Sequence, residues 1–146
     1  MEDLIMKMKK CLAVILALCC FLMLTSCSSG ITTPAKRVFR GISSAAKIQI
    51  VFHGEGTVVV TDPDAISHIC DNLLSLKLSR LIFLPGMVFK PSISVCLFTF
   101  YDENDKTIAT IDYDSNHWIS CDDSGNYIIK EGGIDFAFIK TLFPAE

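Results

Sequence analysis

The sequence lacks an excess of positive charge. Of its 146 residues, 13 are Lys or Arg and 16 are Asp or Glu, which gives a formal net charge of −3 at pH 7. Proteins that bind nucleic acids usually carry a basic patch, because much of their affinity comes from neutralising phosphates. The composition therefore argues against a nucleic-acid partner.

The chain also lacks a disulfide framework and the usual catalytic and metal-binding motifs. Only Cys70, Cys96 and Cys121 follow residue 27, and three thiols form at most one internal pair. There is no HxxxH, CxxC or GxSxG spacing and no glycine-rich phosphate loop. We therefore assign no catalytic residue, no metal ligand and no cofactor from the sequence.

What is present begins with a short apolar segment near the start of the chain. Lys7, Lys9 and Lys10 precede the uncharged run Cys11–Met23. This run is shorter than the roughly 20 residues that a membrane-spanning helix needs. A basic leader followed by a short apolar core is typical of a signal peptide.

The four residues LTSC at the end of this segment, Leu24 to Cys27, resemble the lipobox of bacterial lipoproteins. The resemblance implies that a peptidase cleaves between Ser26 and Cys27 and that the Cys27 thiol carries a diacylglyceryl group. Two acyl chains attach a protein durably to a membrane. We expect a lipid-anchored protein on the outer face of the cytoplasmic membrane; the alternative is an ordinary secretory signal or membrane anchor in which Cys27 is incidental.

The predicted domain organisation has three parts. Residues 1–26 are the signal peptide, and residues 27–46, rich in Ser, Thr, Ala and Gly, are predicted to be a flexible tether. Lys36, Arg37 and Arg40 within the tether could contact anionic head groups, although a solvated linker is the simpler interpretation. Residues 47–146 form a single folded domain.

Residue patterns in that domain predict an α+β fold. A hairpin (KIQIVF, GEG, TVVV) precedes a helix capped by Asp62, and four strands (ISVCLFTFY, TIATIDY, WISC, YIIK) precede a short helix capped by Asp135. ISVCLFTFY is apolar on both faces, which indicates a central strand. We predict an antiparallel sheet of about six strands with two helices on one face, in the order β-β-α-β-β-β-β-α.

A second resemblance covers this domain. The helix segment after Asp62 together with FTFYDENDKTIATI, WIS and GGIDFAFIKTLF is similar to a small extracytoplasmic domain of uncharacterised lipoproteins from Gram-positive bacteria, over about residues 47–143. The resemblance implies the architecture and the location. That family has no assigned activity, so it implies no catalytic residue.

Two clusters of polar residues invite a chemical interpretation. Asp112, Asp114, Asn116 and Asp123 partly match the spacing of a calcium-binding EF-hand loop, but His117 stands where that loop needs glycine, so an Asp/Asn-rich hairpin turn is preferred. Cys121 lies four residues after His117, which is the basis of a thiol-enzyme alternative. On a strand these positions would be about 13 Å apart, too far for a hydrogen bond.

The segment around Pro85-Gly86 is the predicted interaction surface. A loop that exposes several large apolar side chains usually marks a binding site. Core packing of the same residues is equally compatible with the sequence. The residues concerned are Leu81, Ile82, Phe83, Leu84, Met87, Val88 and Phe89.

These observations favour a non-enzymatic binding or accessory module of the cell envelope. Its expected partners are the membrane, through the lipid, and an envelope protein or a small ligand. The alternative is a thiol-dependent hydrolase or similar enzyme that uses Cys121 and His117.

Overall fold

In the computed structural model, which describes residues 32–81, 92–122 and 125–144, eight strands form one antiparallel sheet. Their spatial order is β1-β4-β8-β7-β6-β5-β2-β3. The predicted α+β class with an antiparallel sheet is confirmed, and the segment ISVCLFTFY is a central strand between β6 and β2. The strands are β1 (Thr32–Pro34), β2 (Lys47–Phe52), β3 (Gly56–Val60), β4 (Lys77–Arg80), β5 (Ser94–Tyr101), β6 (Thr107–Asp114), β7 (Trp118–Cys121) and β8 (Gly125–Glu131).

The two longer helices begin at the capping residues Asp62 and Asp135. Helix α1 (Ala35–Val38) and a 3-10 turn (Ile42–Ser44) precede β2, α2 (Pro63–Ser75) follows β3, and α3 (Phe136–Thr141) follows β8. Asp62 accepts a hydrogen bond from the Ala65 backbone N–H at 2.9 Å, and Asp135 accepts one from the Phe138 N–H at 3.0 Å. Each carboxylate thereby satisfies a backbone donor of the first helical turn.

The core lies between the helices and one face of the sheet, which we call the inner face. Ile50, Phe98, Ile111 and Cys121 are opposite one another on four adjacent strands, and all are buried. The ring of Phe136 at the start of α3 stacks on Phe52 of β2, with ring centroids 5.6 Å apart.

Helices α2 and α3 therefore both lie on the inner face, as predicted. Helix α2 buries its apolar stripe there, and residues of α2 and α3 enclose a small space above Phe98. The buried residues of α2 are Ala65, Ile66, Ile69, Cys70 and Leu73.

The prediction of about six strands is wrong by two, because β1 and β4 were not expected. Strand β4 contains a single buried residue, Leu78, and lies at the start of a segment whose apolar residues have no clear period. Strand β1 has three residues and pairs with β4. Segments this short carry too few side chains to display an alternating pattern.

The tether prediction is also wrong for residues 32–46. Ala35, Phe39 and Ile42 are each at most 1% exposed, and the Ala35 backbone N–H donates to the carbonyl of Leu76 at 2.9 Å. Three buried side chains within eight residues attach this segment to the domain. The folded domain therefore begins by about Thr32, not at Lys47.

The predicted leader, the cleavage position Ser26–Cys27 and the first residues of the predicted tether lie outside the described residues. Within the described ranges, no helix combines the length and the hydrophobicity needed to cross a membrane.

Candidate functional site

The face of the sheet opposite the helices, which we call the outer face, carries a row of polar side chains. Asp112 on β6 is opposite Ser120 on β7, and Ser120 is opposite Asn126 on β8. Directly opposed residues of an antiparallel sheet point to the same face. The three side chains therefore lie side by side across neighbouring strands, which are about 4.7–4.9 Å apart.

This row lies in a concavity of about 480 Å³. Small-molecule sites typically measure roughly 300–1,000 Å³, so the volume suits a small ligand. The pairing of β5 with β6 shifts register between Ser94 and Cys96, and such bulges bend a strand and re-aim its side chains. The lining of this outer-face concavity includes Ser94, Asp112, Asp114, Trp118, Ser120 and Asn126.

The two carboxylates of the concavity have different partners. One oxygen of Asp114 accepts the backbone N–H groups of Asn116 and Trp118, each at 2.9 Å, so Asp114 closes the β6–β7 turn. Asp112 accepts the Ser94 hydroxyl through Oδ1 at 2.5 Å. Within the described part of the chain, Asp112 Oδ2 and the side chains of Ser120 and Asn126 make no hydrogen bond, so they are available to a ligand.

The described lining of the concavity is negatively charged. It holds Asp112 and Asp114 and no basic side chain. Carboxylates accept hydrogen bonds and attract cations, so this surface favours neutral or positively charged ligands over anions. No group of three or more His, Cys, Asp and Glu residues suited to a metal ion occurs among residues 32–81, 92–122 and 125–144.

The Asp/Asn-rich segment forms a hairpin turn, as its sequence predicts. Asp114 accepts two backbone N–H groups within this turn, and His117 adopts a positive φ of 62° at its end. Asp123, the last member of the spacing, lies outside the described residues. Oδ1 of Asp114 therefore stabilises the turn by accepting its backbone N–H groups.

The structure brings His117 to Tyr113. The His117 Nδ1 atom and the Tyr113 hydroxyl are 2.6 Å apart, with the ring centroids at 6.0 Å. Cys121 lies on the inner face and is 5% exposed. A thiol that attacks a substrate needs both a nearby base and access from solvent, and burial removes the second of these.

Cys70 and Cys96 have the properties of core residues. Burial, with a smaller contribution from Asp71, raises the pKa of the Cys70 thiol to about 11. Burial, with a smaller contribution from Asp112, raises the pKa of the Cys96 thiol to about 12. Neither thiol is ionised at neutral pH, so neither is a nucleophile there.

Of the predicted interaction loop, only Leu81 lies within the described residues. It is half-buried, and its backbone N–H donates to the carbonyl oxygen of Asn126 at 2.8 Å. Leu81 thus continues the pairing of β4 with β8 beside the concavity. Ile82, Phe83, Leu84, Met87, Val88 and Phe89 lie outside the described residues, and the prediction for them stays a prediction.

Sequence reasoning did not find the outer-face concavity. Its polar residues alternate with buried ones, as in any strand with one solvated face, and they lie on three separate strands. The signal that unites them is the cross-strand register, which depends on how β6, β7 and β8 pair.

No known family model matches the chain, and no curated protein or solved structure is significantly similar to it.

Proposed function

We propose that this chain is a lipid-anchored extracytoplasmic protein that acts as a non-enzymatic binding module of the cell envelope, with the outer-face concavity as its ligand site. The observation that carries the binding function is the concavity itself. It places ligand-accessible polar groups of Asp112, Ser120 and Asn126 side by side on a rigid sheet. Groups held on paired strands keep their spacing, which reduces the entropy lost when a ligand binds.

The arrangement of the two faces supports a binding function. The helices cover the inner face, and the concavity is on the opposite side of the same strands. A ligand can therefore bind without disturbing the core.

The chemistry of the thiols supports a non-enzymatic function. Cys121 is buried on the inner face, away from the concavity, and the imidazole Nδ1 of His117 contacts the Tyr113 hydroxyl. The described lining of the concavity contains serines and carboxylates but no histidine that could act as their base.

The location rests on the sequence alone. The basic leader, the apolar run and the residues Leu24–Cys27 are in the order and spacing of a lipoprotein signal. A mature chain beginning at Cys27 would leave only a few residues between the lipid and Thr32, where the described fold begins. On this proposal the domain lies close to the membrane surface.

Metabolic labelling with palmitate in a bacterial host tests the anchor. We expect the wild-type chain to incorporate label and to sediment with membranes, and Cys27→Ala to lose both properties. The matched control is Cys19→Ala/Cys20→Ala, which removes two leader thiols and should leave labelling unchanged. Full labelling of Cys27→Ala, or an unlabelled wild-type chain in the cytosol, would contradict the proposed anchor.

A further inference from the structure

We infer that the outer-face concavity binds a ligand that carries several hydroxyl or amine donors and no negative charge, which is the chemistry of a neutral or amine-bearing saccharide. This inference rests on the proposed binding function, and it names the class of ligand. It follows from the hydrogen-bonding capacity, the charge and the shape of the concavity.

The main hydrogen-bonding group of the concavity is the Asp112 carboxylate, an acceptor whose orientation is fixed. The Ser94 hydroxyl donates to Oδ1 of Asp112 at 2.5 Å, which fixes the plane of the carboxylate. Its second oxygen makes no hydrogen bond within the described residues. An ionised carboxylate accepts hydrogen bonds and donates none, so the ligand must supply the donor.

The distribution of polar groups favours a ligand with several donors and acceptors. Ser120 offers a hydroxyl and Asn126 an amide, and neither side chain bonds to another described residue. From Asp112 to Asn126 the row extends over two strand spacings, about 10 Å. A ligand with hydroxyls along its length can bond to all three side chains, whereas a ligand with one polar group cannot.

The lining also includes an aromatic side chain. Trp118 is half-buried at one side of the concavity, on the same strand as Ser120. Aromatic rings provide apolar surface at low conformational cost and are common in ligand sites. A sugar ring presents C–H groups on one face and hydroxyls around its edge, which matches an indole beside polar side chains.

The charge of the concavity sets the expected selectivity. Asp112 and Asp114 both line it, and the described lining has no lysine, arginine or histidine. An anionic ligand would bring a third negative charge within a few ångströms of two carboxylates. An ammonium group in the same place would be attracted to the Asp112 carboxylate.

Three disaccharides that differ in charge test this inference on the folded chain without its leader, residues 27–146. The probes are deacetylated chitobiose, which carries amines, N,N′-diacetylchitobiose, which is neutral, and digalacturonate, which is anionic. Binding is followed by NMR through the backbone amide shifts of Ser120 and Asn126. We expect the amine-bearing probe to bind most tightly and digalacturonate at least about tenfold more weakly than the neutral probe.

An isosteric substitution identifies the charge responsible. Asp112→Asn should reduce the preference for the amine-bearing probe over the neutral one by about tenfold, because only the ammonium group gains from the charge. Asp71→Asn is the matched control. It makes the same change on an exposed residue of helix α2 and should leave the preference unaltered.

The possible failures are distinguishable from one another. Digalacturonate binding as tightly as the other probes would overturn the inferred ligand class while leaving a binding site in place. Tighter binding of Ca²⁺ alone, with the same amide shifts, would make this a cation site and overturn the inference. No shift at about 10 mM of any probe would also overturn it. Cleavage of a bound probe would contradict the non-enzymatic function instead.

Discussion

The inner and outer faces of the sheet are formed by the same strands but have opposite characters. In β5, Phe98 on the inner face is fully buried, whereas its neighbours Leu97 and Thr99 on the outer face are only half-buried. The inner face is uniformly apolar across the central strands, and the helices cover it. The difference shows that one residue pattern can specify a core on one side and leave the other side available for binding.

The outer face carries both apolar and polar side chains. Towards β2 and β3 it exposes Val51 and Val59, which are 40% and 54% exposed. Towards β6, β7 and β8 it carries Asp112, Ser120 and Asn126. The β2 end is not purely apolar, because Gln49 is opposite Thr99 on the same face. What distinguishes the β6–β8 end is the concavity that its polar side chains line.

The largest expected effect on stability comes from comparing adjacent residues of β5 that lie on opposite faces of the sheet. Phe98→Ala should reduce the free energy of unfolding by about 3–5 kcal/mol, because it leaves a cavity where the ring is enclosed by β2, β6 and the helices. Leu97→Ala, one residue away on the outer face, should cost less than about 1.5 kcal/mol. Urea denaturation measures both. Equal losses would mean that the outer face is packed as tightly as the inner one.

A second substitution tests where the inner-face core begins. Phe39 is 1% exposed although it lies in the segment predicted to be a tether. Phe39→Ala should therefore reduce the free energy of unfolding by about 3 kcal/mol. The control is Arg37→Ala, an exposed change on helix α1 that should cost less than about 0.5 kcal/mol. A loss below about 0.5 kcal/mol for Phe39→Ala would restore the tether interpretation.

The division between the faces explains how much could be predicted from sequence. The hairpin KIQIVF-GEG-TVVV, the four later strand segments and the caps Asp62 and Asp135 predict six strands and helices α2 and α3, because these are local patterns. Residues 32–46 were misassigned since Ala35, Phe39 and Ile42 are buried by contacts with distant elements, such as the bond from the Cys70 thiol to the Ile42 carbonyl at 3.1 Å. The concavity depends on register in the same way.

The smallest expected effect concerns the junction that holds helix α3 against α2 on the inner face. Asp135 Oδ1 accepts the Phe138 N–H at 3.0 Å, and Oδ2 lies 3.1 Å from Nε2 of His68 on α2. Asn72 of α2 adds two hydrogen bonds, to the backbone N–H of Asp135 and the carbonyl of Gly133, each at 3.0 Å. The hydrogen bond from the Phe138 backbone N–H is the main cause that lowers the pKa of the Asp135 carboxyl below its usual value, and the hydrogen bond from His68 is the second.

The lowered pKa of the Asp135 carboxyl makes the stability of the fold depend on pH. Because the native pKa is lower than the unfolded one, the ionised carboxylate stabilises the fold above the unfolded value of about 4, and this contribution is lost as the pH falls through the native pKa. Asp135→Asn keeps an acceptor for the Phe138 N–H but cannot ionise. We expect its Tm to be lower than that of the wild type at pH 7, with the difference shrinking as the pH is lowered towards about 3. Thermal melts monitored by circular dichroism between these two pH values measure it. A difference that stays constant over this range would mean that hydrogen-bond geometry, and not the charge of Asp135, stabilises the contact between the helices.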